Sequence, residues 1–229
     1  MAKKIAIIGL GDFGTPLATT LTELGAEVLA IDTDFNVIEE IKDKVTVAVR
    51  LDSTDERALK AQGITEMDAV VVSIGAGFED ALLTIMNLVQ MGVKRIIARS
   101  TSPIHKKILT KVGVKEVISP EEEISKKLAS NLIHEDILDY IQLGGDHNIV
   151  QLKTPDAFIG KSIQELDLRI RYNVNLITIK KILTTVNKKT SETETTEKII
   201  GVPAASTVLE KDDILVLFGR DRDIQKLID

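Results

Sequence analysis

The chain has 229 residues, enough for one large domain or two modest ones with a full core. Its net charge of −6 argues against nucleic acid as the main partner, and the lack of cysteine excludes disulfides, thiolate metal sites and a cysteine nucleophile. Apolar residues make up 44% but aromatics only 3%, so isoleucine, valine and leucine have to build the interior.

In chain order, the first predicted strand (residues 5–8) runs directly into Gly9-Leu10-Gly11-Asp12-Phe13-Gly14, and a helix is predicted over 15–24. The next apolar run, 27–31, closes on Asp32, followed by Thr33 and Asp34. Strand, glycine turn, helix, strand and acid is the order of a dinucleotide-binding βαβ unit. In such a unit Gly9 permits the tight turn, Gly11 lets backbone approach a phosphate, and Gly14 lets the helix pack closely on the strand. The unpaired N–H groups of the new helix then face the anion. Asp32 is the expected acceptor for ribose hydroxyls. Asp34 either shares the ribose or caps the helix predicted at 35–42.

The same rhythm continues, with predicted strands at 45–49, 69–73, 95–98 and 116–118 and predicted helices at 55–62, 79–91 and 104–112. These strands read as continuous valine, isoleucine and alanine rather than alternating, the pattern of a parallel sheet covered on both faces. Six of them with right-handed crossovers make a doubly wound, Rossmann-type α/β sheet. Ser53 or Thr54 is expected to start the helix at 55, and Pro103 suits the first turn of the next. Asp52, Ser53 and Thr54 leave the third strand, and Ile74, Gly75 and Ala76 the fourth, at the carboxyl edge where ligands bind in such sheets. Each loop is alternatively a plain cap or turn.

After Ser119-Pro120 a helix is predicted over 121–133, acids early and lysines later, as the helix dipole favours. The polar stretch Leu143-Gly144-Gly145-Asp146-His147-Asn148 reads as a linker. The expected division is a first domain of 1–134, a linker over 135–147 and a second domain of 148–229. That second domain is expected to be a smaller α+β unit of three or four strands, at 149–152, 175–180, 198–200 and 213–218. A short helix is predicted at 162–166 and a last one from Asp221. The run 184–197 is too polar to pack and is expected to be a mobile hairpin tip. His105, His134 and His147 fall on a surface helix, a helix end and the linker, so no catalytic constellation is expected. No apolar stretch reaches membrane-span length and no secretory leader precedes the first strand, so a cytoplasmic location is expected.

Taken together, these marks resemble the regulator-of-potassium-conductance (RCK, or KTN) family of Trk/Ktr type. They are Ile8-Gly9-Leu10-Gly11-Asp12-Phe13-Gly14, Ala30-Ile31-Asp32, Asp52-Ser53-Thr54-Asp55-Glu56, Val72-Ser73-Ile74-Gly75, Ile118-Ser119-Pro120-Glu121 and, later, Gly160-Lys161-Ser162-Ile163 through Arg169. The resemblance implies a cytosolic subunit, assembled as a homo-oligomer into a ring of eight beneath a separate membrane potassium channel or transporter. Adenine nucleotide (NAD(H), ADP, ATP or AMP) bound in each first domain would gate the pore. It also implies that Asp52, Ser53 and Thr54 lie near the adenine and that Arg99 faces the phosphates. Glu121 matches a glutamate that holds a divalent cation between subunits in some members, and as a first-turn acid it is equally a partner of the helix dipole. Ile163, Arg169, Asn175 and Ile177 match a second site, for cyclic di-AMP. The family often carries arginine where this chain has Asp12, which puts recognition of the terminal phosphate of ATP in doubt; alternatively Asp12 simply favours the helix N-terminus. A nicotinamide-dependent dehydrogenase is the alternative.

Overall fold

A computed structural model describes residues 2–133, 136–186 and 193–228. The chain divides into two compact units, Met1–Glu123 and Ile124–Asp229. The first is built on β1 (Lys4–Ile8), β2 (Glu27–Asp32), β3 (Val47–Arg50), β4 (Ala69–Val72), β5 (Ile96–Arg99) and β6 (Glu116–Ile118). All six pair in parallel in the order β3-β2-β1-β4-β5-β6. Between them run α1 (Gly14–Glu23), α2 (Phe35–Ile41), α3 (Glu56–Ala61), α4 (Phe78–Gln90) and α5 (Pro103–Val112).

Successive strand side chains point to opposite faces, and here both faces are buried. On one face, Ala6 and Ile8 of β1 pack with Ile31, Val70 and Val72 against Leu59 of α3, Ile85 and Leu88 of α4 and Leu109 of α5. On the other, Ile7, with Val28, Ala30 and Val71, packs against Ala18 of α1 and Ile38 and Ile41 of α2. A strand buried on both sides has no place for a polar alternate, which is why these segments read as unbroken apolar runs. The expected doubly wound sheet is therefore present. Its strand order reverses between β1 and β4, where the carboxyl ends leave a crevice.

Helix starts show which short polar residues are structural. Pro103 lies in the first turn of α5, and the Ser102 hydroxyl accepts the His105 N–H at 3.3 Å. α3 is capped by Asp55, which accepts from the Arg57 and Ala58 N–H groups, and not by Ser53 or Thr54. Ser53 is buried instead, its hydroxyl 2.7 Å from that of Thr84 on α4. Asp34 caps α2 by accepting the Asn36 N–H.

The division between the units falls within α6 (Pro120–Ile133). The second unit holds β7 (Ile137–Gly144), β8 (His147–Lys153), β9 (Asn175–Val186), β10 (Thr193–Ile199) and β11 (Ile214–Arg220). They form an antiparallel sheet in the order β10-β9-β11-β8-β7. Short helices α7 (Ile163–Leu166), α8 (Leu168–Tyr172) and α9 (Asp221–Gln225) accompany it. Val150, Leu152, Ile179, Leu215 and Leu217 from the strands pack with Leu166, Leu168 and Ile224 from the helices.

The expected linker is corrected here. Residues 137–144 form β7, and Gly144-Gly145 turn the chain into β8 with φ of 147° and 60°, backbone that glycine adopts without strain. His147 accordingly begins β8. The sheet has five strands among the described residues, not three or four. β9 and β10 pair through both ends of the polar run. Of the expected mobile tip at 184–197, residues 184–186 and 193–197 are thus strand, and residues 187–192, like His134, lie outside the described residues.

Candidate functional site

A cleft of about 510 Å³ opens at the carboxyl ends of β1 to β5. Of the expected residues, Gly9, Gly11, Asp12, Asp32, Thr33, Asp52, Ser53, Ile74, Gly75, Ala76 and Arg99 line it. Phe13, Gly14, Asp34 and Thr54 do not line it but support residues that do. A Cβ on Gly14 would lie 1.9 Å from the Gly9 carbonyl oxygen, so only glycine fits between the helix and the turn. Gly9 has φ of 94°, and a Cβ there would lie 2.9 Å from the Ile74 nitrogen. At Gly11 a Cβ would meet nothing within 4 Å. The backbone there borders open ligand space.

Asp32 ties the turn to β2. Its Oδ2 accepts the Leu10 N–H at 2.6 Å and its Oδ1 accepts the Asp34 N–H at 2.9 Å. A carboxylate has about four acceptor directions, so capacity remains for hydroxyl donors. Asp52 Oδ1 accepts both the hydroxyl and the N–H of Thr54, which hold its carboxyl below the usual aspartate range. α1 begins with no side-chain cap and no acid in its first turn. Its Thr15 N–H is taken by the Gly11 carbonyl at 3.0 Å and Pro16 has no N–H, so the backbone donors left for an anion are those of the turn Gly11–Gly14.

Arg99 is the one basic residue among the described lining residues. Its side chain is 16% exposed and pairs through Nη2 with Glu121 Oε1, and its guanidinium carbon stands 5.9 Å from the Phe13 ring centre. The hydrogen bond from Arg99 holds the Glu121 carboxyl below the usual glutamate range. Arg99 Nε is buried with no protein partner, a donor that an anionic ligand at the cleft would satisfy. Glu121, expected as a cation ligand, is thus engaged by Arg99. No group of three or more His, Asp or Glu placed to hold a metal ion occurs among the described residues.

Two polar lining residues escaped the sequence reading. Ser73, buried at the end of β4, has its hydroxyl 2.6 Å from the Gly9 carbonyl oxygen and so fastens the turn to β4. The available signal was a lone serine closing an apolar run. Asp80, on α4, also borders the cleft, and nothing in its local pattern marked it. In the second unit, Arg169 Nε donates to Asn175 Oδ1 at 2.9 Å, so the two polar residues of the expected second site are together. Ile163 begins α7, and Ile177 on β9 is exposed.

The TrkA-N domain family matches residues 5–120. Over 226 residues, covering 99% of this chain and 96% of the relative, the chain is 32% identical to the Ktr system potassium uptake protein C of Bacillus subtilis (strain 168). The chain belongs to the Ktr family of potassium uptake proteins. Its fold is similar to that of the GsuK channel bound to NAD, with a TM-score of 0.65 and 18% identity, over 100% of this chain and 40% of that one. This Ktr-family chain thus spans less than half of that channel chain. It is also similar to the NAD(P)-binding domain of an exopolyphosphatase-related protein from Archaeoglobus fulgidus. That likeness has 26% identity and a TM-score of 0.51, over 58% of this chain and 98% of that domain.

Proposed function

We propose that this Ktr-family chain is a nucleotide-binding regulatory subunit of a potassium uptake system, acting on a separate membrane subunit. The observation that carries this is the cleft itself: a glycine turn with free backbone donors at the start of an uncapped helix, Asp32 beside it, and an unpartnered Arg99 Nε. These residues fit an adenine nucleotide. The backbone N–H groups of the turn Gly11–Gly14 would hold a phosphate, Asp32 the ribose hydroxyls and Arg99 further phosphate oxygen. The described lining has no histidine, lysine or tyrosine to donate a proton to a substrate, which favours a ligand that is bound rather than turned over.

The bound group joins the ends of β1, β2 and β5, so its binding free energy is available to favour one arrangement of copies over another. A homo-oligomeric ring in the cytoplasm is part of this reading. Ile124, Leu128, Leu132 and Ile133 of α6 are 56–76% exposed, apolar area that a second copy would cover. No helix among the described residues is long and apolar enough to cross a membrane. A second ligand, cyclic di-AMP, at Arg169 and Asn175 belongs to the same proposal.

Calorimetric titration of the full chain with NAD, NADH, AMP, ADP and ATP tests it. Saturable binding of at least one is expected. Silence from all five would overturn the nucleotide reading.

A further inference from the structure

The two helix starts that border the cleft differ in charge. α1 has no acid in its first turn, whereas α4 begins with Glu79 and Asp80. Gly77, at the start of α4, has φ of 88° and no side chain to cap the helix. A Cβ placed on Gly77 would come within 2.9 Å of Asp80 Oδ2, so this carboxylate lies over the first turn of its own helix. The positive end of α4, where an anion would otherwise be favoured, already holds an acid. The turn Gly11–Gly14 before α1 offers backbone donors to a phosphate, whereas the start of α4 is occupied by its own acid.

The rest of the lining deepens the asymmetry. Asp12, Asp32, Asp52 and Asp80 border the cleft, against Arg99, which is itself paired with Glu121. A phosphate seated at the α1 turn meets backbone donors. Each further terminal phosphate adds negative charge among carboxylates, and the repulsion grows with every step. A dinucleotide avoids this, because its phosphates are internal and its second nucleoside is rich in hydroxyl and amide donors, which a carboxylate accepts.

Resting on the assignment of the cleft as a nucleotide site, we propose that Asp80, together with Asp12, selects nucleotides whose phosphates are few or internal and rejects a terminal triphosphate. The favoured class is a mononucleotide or a nicotinamide-type dinucleotide.

The test is calorimetric titration of the full chain with AMP, ADP, ATP and NAD in metal-free buffer, for the wild type, Asp80→Asn and Asp12→Asn. Wild-type affinity is expected to fall from AMP to ADP to ATP, with NAD at least as tight as AMP. Each asparagine variant is expected to raise ATP affinity about fivefold relative to AMP, the scale of one unit charge near a phosphate. Asp12→Asn reads the same charge from another element, so the test survives if Asp80→Asn fails to fold. Added salt should narrow the AMP-to-ATP gap in the wild type without any substitution. Equal wild-type affinity for ATP and AMP, or variants that shift both by one factor, would overturn the selectivity and leave the site standing. No binding by any nucleotide would overturn both.

Discussion

Asp32 accepts two backbone N–H groups, and the nucleotide reading gives it the ribose as well. Asp32→Asn keeps the side-chain shape and one acceptor oxygen while removing the charge. Nucleotide binding is expected to weaken by about 1.5–3 kcal/mol, the scale of a hydrogen bond to a charged group. Unchanged affinity in calorimetry would take Asp32 out of the ligand's contacts. Gly14→Ala puts a methyl 1.9 Å from the Gly9 carbonyl oxygen, and the turn has to move. A loss of about 1–3 kcal/mol in urea unfolding is expected, as for other overpacked positions. The Glu121 carboxyl, held low by Arg99, contributes stability that is fully present above the unfolded glutamate value and is lost as pH falls through the lower folded one. Replacing Arg99 by glutamine should therefore flatten the acid side of the stability profile, and an unchanged acid limb would remove the pair from the account. The packing roles of Gly9 and Gly14, and the place of Asp32 at the cleft, were legible because they follow from spacing along the chain. Ser73 reaches Gly9 only through the pairing of β1 with β4, and Asp80 reaches the cleft only through the turn at Gly77. Neither register nor turn geometry is written in local composition.

The parallel strands were legible as whole elements, since burial on both faces leaves an unbroken apolar run. β7 was not. It is an edge strand with Leu138, Ile141 and Leu143 exposed on it and two glycines at its end, so neither alternation nor a covered run marked it. α8 escaped for another reason. Its five residues lie between Asp167 and Asn173, both at positive φ, too short a stretch for a helical period to show. α6 was legible in its extent, and its sequence left open whether the apolar side is covered within the chain. Ile124, Leu128, Leu132 and Ile133 are exposed. If a second copy covers them, Leu128→Asp with Leu132→Asp should lower the mass measured by light scattering while leaving the thermal transition of the first unit in place. A wild-type monomer at micromolar concentration, with and without nucleotide, would count against assembly.

Two separate cores govern how the whole molecule responds to ligands. The first unit buries both faces of its parallel sheet, and the second closes its own core around β8, β9 and β11. Chains with two such cores need not unfold in one step. A ligand that binds one native unit stabilises that unit, by about 2.7 kcal/mol at a hundred times its dissociation constant. Scanning calorimetry of the full chain should then show a nucleotide raising the transition of the first unit. Cyclic di-AMP should raise that of the second, where Arg169 and Asn175 sit. Arg169→Ala should abolish the second shift and spare the first. If cyclic di-AMP moves no transition in the wild type, the second ligand site falls. If either ligand raises both transitions, the stabilities of the two units are coupled, and that coupling is the quantity a gating subunit would transmit.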